Sequence, residues 1–192
     1  MSAESVIRAL ETRHLNRRYM WQASAGGGVQ QWLTTRPQGP TPNHATVGLC
    51  CFHLPLLAAF QTGDLSWEAA GDLIFAQISA GLTRRFPRAW APAGIERYYM
   101  GTFLGRYRSA RDALRRARAL RRGDIVFFSV RGLRYFAHVA IATGLGMETI
   151  SFGHGAPMLG RVALPVQRRS ILQLRIDFGN QITEVHYGRP PW

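Results

Sequence analysis

The chain has 192 residues, 46% of them hydrophobic and 18% charged, with 20 Gly and 10 Pro. That length suits one domain with a real core, and apolar residues spread along it exclude disorder. All 24 basic residues are arginine against 11 acidic ones, and the resulting +13 implies attraction to polyanions: nucleic acid, anionic lipid or acidic cell-wall polymers.

Arginine without lysine fits a GC-rich coding bias, or more pointedly a translocated toxin that lacks ubiquitin acceptors. No apolar run reaches the roughly 18 residues of a membrane span. The opening MSAESVIRALETRHLNRRYM has neither the apolar stretch nor the cleavage site of a signal peptide. Cys50 and Cys51 are adjacent, which offers no disulfide framework and no zinc-ligand spacing.

Residues 2–18 read as a short amphipathic helix with Val6, Ile7, Leu10 and Leu15 near one face. Residues 24–46, dense in Gly and Pro, read as a linker, so residues 1–46 form an extension of unknown role within a single 1–192 domain. CCFHLPLLAAFQTG predicts an apolar helix closed by Gly63, and a second helix is expected from Ser66. A third, arginine-faced helix is expected over residues 110–122. After Gly123 the period falls to two, and DIVFFSV, YFAHVAIAT, METISF, ILQLRID and ITEVHY read as five strands. The expected plan is α+β, with helices first and an antiparallel sheet last.

Chemistry concentrates at two places. Pro55 fits a helix only in its first turn, so the helix must begin near Cys51, where unpaired N–H groups and the macrodipole favour a thiolate. His138 stands near the start of an otherwise apolar strand. The plain readings are a small buried thiol and a satisfied core histidine. GDIVFF followed by HVAIATG, with the Cys51-Phe52-His53-Leu54-Pro55-Leu56-Leu57-Ala58-Ala59 helix upstream, resembles the papain-like NlpC-type cysteine hydrolases over residues 47–155.

That resemblance implies a papain-like fold in which Cys51 attacks a carbonyl carbon and His138 serves as base and then acid. Ser151 or His154 would orient the imidazole; Asp177 is a weaker candidate. With a GLGM turn, Ser151 would share His138's face one diagonal away, and a one-residue slip would exchange these assignments. No cofactor or metal is implied. The expected activity is amide hydrolysis in peptidoglycan stem peptides by a secreted bacterial toxin or effector. Such a protein is expected to be cytoplasmic before export, carried by a dedicated machine such as a type VI system or as part of a larger toxin, and countered by an acidic immunity protein. On this reading nucleic acid is not the partner. Two alternatives stand beside it: a Cys–His deamidase, transglutaminase or acyltransferase acting on a host protein, and a non-catalytic basic module for nucleic acid or anionic lipid. The arginine run from Arg106 to Arg122 is a solvated helix face or a polyanion contact.

Overall fold

The computed structural model describes residues 3–21, 48–49, 51, 53–66, 102–107, 120–130, 136–152, 163–179 and 182–190. Helix α1 (Ala3–Ala9) buries Val6, Ile7 and Ala9 on one side, as its spacing predicts. It widens into a π-helical stretch, Leu10–His14, closed by the Leu15 N–H donating to the Leu10 carbonyl at 2.8 Å. Asn16 then takes a left-handed conformation (φ 64°), and the chain turns into strand β1 (Arg18–Trp21).

A two-residue strand β2 (Gly48–Leu49) leads to Cys51 and helix α2 (His53–Gln61). Pro55 is this helix's third residue, within the turn whose donors lack carbonyl partners. His53 to Ala59 are all buried, so the helix lies inside the molecule rather than on it. Gly63 (φ 74°) ends it, as expected.

The remaining elements are β3 (Thr102–Tyr107), β4 (Ile125–Val130), β5 (Phe136–Ala142), β6 (Glu148–Phe152), β7 (Ala163–Ser170), helix α3 (Ile171–Asp177) and β8 (Ile182–Arg189). They build one eight-stranded sheet in the order β2-β1-β7-β6-β5-β4-β8-β3. Its pairs are antiparallel except β1 with β2. The α+β class is therefore correct.

Three expectations are corrected. ILQLRID is helix α3, not a strand: Ser170 Oγ accepts the Gln173 N–H at 3.0 Å, and Ile171 and Leu174, three apart, are the buried positions. The sheet also draws β1, β2 and β3 from the region expected to be helical. Residues 3–21 belong to the core and are no appendage. The linker, the body of the helix expected after Ser66 and residues 110–119 lie outside the described residues; residues 120–122 are not helical.

The sheet has two packed faces. Ile125, Phe127, Val139, Ile141, Ile150, Phe152 and Val166 face α1 and α2. Val126, Phe128, Ala140, Ala142, Val185 and Tyr187 face α3. Alternation along each strand assigns every described side chain of β4, β5 and β6 to one face or the other.

Candidate functional site

Cys51 is a buried thiol outside any disulfide, two residues before the first helical position of α2. It packs into the cluster formed by α1, α2, Tyr19 and the first sheet face. His53 beside it is wholly buried, and burial pushes its imidazole from 6.5 down to about 4, so it is neutral at physiological pH.

His138 lies on the other face. It pairs with Phe128 across β4–β5, and its ring sits 5.8 Å from that of Phe128 and 5.4 Å from that of Phe178. Phe128 and Phe178 both belong to the second core. Its neighbour Val139 belongs to the first, with Cys51. The sheet therefore stands between the two residues that the resemblance pairs. A sheet hydrogen-bonded on both sides of β5 offers no side-chain rotation that joins them.

The predicted register between His138 and Ser151 is present. Ala140 pairs with Ser151, which puts Ser151 on the face of His138, one diagonal away. Ser151 is 1% exposed, and among the described residues its Oγ has no hydrogen-bond partner. Asp177 is near Phe178 at the end of α3, but it is engaged elsewhere: Oδ1 accepts from Gln173 Nε2 at 2.9 Å and Oδ2 faces Arg169 Nε at 3.6 Å. His154 lies outside the described residues. No group of three or more His, Cys, Asp or Glu among the described residues could hold a metal.

Sequence reasoning missed a third buried histidine. His14, 2% exposed, links three elements: the Tyr19 hydroxyl donates to its Nδ1, and its Nε2–H donates to Gln61 Oε1 at 2.7 Å. Burial pushes the Tyr19 phenol up to about 12, so it remains a donor. The π-turn that aims His14 inward has no periodic signature, which is why the helix reading left it on no particular face.

The charges are sorted as well. Arg122 binds Glu4 at 2.7 Å and Glu11 at 2.5 Å; Arg168 binds Glu11 and Glu148, each at 2.9 Å. Arg189 meets buried Asp124 at 3.3 Å. Arg13, Arg17 and Arg18 instead stand exposed around the α1–β1 turn, with no acidic partner among the described residues. Comparison with family models, with curated proteins and with solved structures finds no match.

Proposed function

We propose that the chain is a non-catalytic basic domain that binds a polyanion. The observation that supports it is the segregation of charge among the described residues: Glu4, Glu11, Asp124, Glu148 and Asp177 are matched to arginines inside ion pairs, while Arg13, Arg17 and Arg18 stand exposed without an acidic partner, in a chain of net charge +13. Such a surface gains affinity chiefly by releasing the counterions condensed on a polyelectrolyte. The polyanion reading is favoured over the Cys51–His138 reading because Cys51 and His138 pack on opposite faces of the sheet.

Titrating labelled duplex DNA, and separately vesicles rich in phosphatidylglycerol, tests the reading between about 50 and about 200 mM salt. Log affinity is expected to fall linearly with log salt, and Cys51→Ser and His138→Gln to leave it unchanged. Absence of binding to either probe at the lowest salt overturns the proposal.

A second reading keeps an NlpC-like, papain-type hydrolase, effector delivery and an acidic immunity partner. It draws support from the register that sets Ser151 beside His138. It requires a nucleophile other than Cys51. Muropeptide release from purified cell wall that survives Cys51→Ala but not His138→Ala would favour it; transfer or deamidation of a host protein without such release would favour the acyltransferase variant.

A further inference from the structure

We infer that the α1–β1 turn, through Arg13, Arg17 and Arg18, is the contact surface, and that its partner is the phosphate backbone of double-stranded nucleic acid; this rests on the polyanion reading above. The three arginines fall within six residues of one another and are all exposed. They are not on a loose tail. The Asn16 N–H donates to the Val166 carbonyl at 2.8 Å and the Val166 N–H to the Arg17 carbonyl at 2.9 Å, which ties the turn to β7. Beneath it, His14 is held by Tyr19 and Gln61. Arg13 Nη1 donates to the Gln61 carbonyl at 3.3 Å and Arg18 Nη2 to the Ala163 carbonyl at 2.6 Å. Two guanidinium groups are thus positioned in advance, with donors left over for a ligand.

The partner follows from what surrounds the turn. The large exposed apolar residues among those described are Leu145 and Ile176, on the β5–β6 turn and on α3. Among the described residues the arginine turn therefore has no exposed apolar anchor to enter a membrane, and a few basic residues alone hold a lipid surface weakly. Tyr19, the aromatic beside the arginines, is 4% exposed and offers no stacking face to a single strand. Exposed arginines with no exposed apolar or aromatic company among the described residues suit a partner whose own charge density supplies the driving force, and duplex nucleic acid carries one charge per roughly 1.7 Å. The expectation against nucleic acid came from the hydrolase reading.

The test compares wild type, the triple variant Arg13→Ala/Arg17→Ala/Arg18→Ala and the control Arg121→Ala, using labelled duplexes of two unrelated sequences. Each arginine that meets a phosphate is expected to lower the log–log salt slope by about 0.9, equally for both sequences. A greater loss per arginine at the turn than at Arg121 supports the assignment. Equal loss per charge removed, or wild type preferring anionic vesicles or single strands to the duplex, overturns it. Should the triple variant fail to fold, Arg17→Ala alone carries the test, since its side chain makes no hydrogen bond among those described. Wild type that binds no polyanion at all refutes the underlying function instead.

Discussion

His53 is an imidazole where the fold tolerates no charge. Its ionisation midpoint falls from 6.5 to about 4 on folding because burial disfavours the cation. Between those values the unfolded chain binds a proton that the native state refuses. Stability is therefore whole above pH 6.5, declines as the pH falls through this window and is fully lost from this source below about 4, a total of about 3 kcal/mol. Urea denaturation at about pH 7.5 and pH 5 is expected to show this loss, and His53→Leu to remove most of it. Cys51, 7% exposed among apolar side chains, predicts the opposite of an activated nucleophile. In a Cys50→Ser background, iodoacetamide is expected to label it near pH 6 only at the rate at which the protein opens; labelling that outpaces opening would restore the thiolate.

Helix α1 is held to the sheet by a steric fit and a charge network. Gly123 has φ 86°, and a Cβ there would lie 2.4 Å from the Ala3 Cβ. Gly123→Ala is expected to cost about 2 kcal/mol or more, through backbone strain and displacement of the helix start. Arg122 reaches Glu4, Glu11 and the Thr143 carbonyl, and its hydrogen bond is the main cause that lowers the Glu11 pKa. Its side chain is partly exposed, so Arg122→Ala is expected to cost only about 1–2 kcal/mol, and less at high salt. A double-mutant cycle with Glu11→Ala, read by thermal unfolding at two salt concentrations, isolates the coupling.

These elements show what the residues alone disclose. The β5–β6 register was legible once a GLGM turn is taken: Ser151 lies diagonal to His138 as that turn predicts, and it is the packed sheet, not the pattern, that excludes the one-residue slip. Helix α2 and its Gly63 terminus were legible for the same local reasons. ILQLRID was not: apolar residues at alternate positions suit a strand, and the Ser170 cap decides only once β7 has delivered the chain there. Nor could local pattern say which face of the sheet receives α2. Strand period fixes which residues share a face, but long-range packing fixes what covers it. The Cys51–His138 pairing failed at that step.

At the scale of the whole molecule, the same sheet that separates Cys51 from His138 divides the core in two. The first core is sealed by α1 and α2, the second by α3, so the faces depend on different elements. Helix α3 has seven residues and one side-chain cap, from Ser170 to the Gln173 N–H. It is too short to persist without the Ile171, Leu174 and Phe178 contacts. Ser170→Ala is expected to cost about 1 kcal/mol. Hydrogen exchange locates that loss: protection should fall along α3 and at the amides of β5 and β4 that bear His138 and Phe128, while α2 keeps its protection. Equal loss on both faces would mean that the two cores unfold as one unit, and the partition of the molecule by its sheet would then have no energetic counterpart.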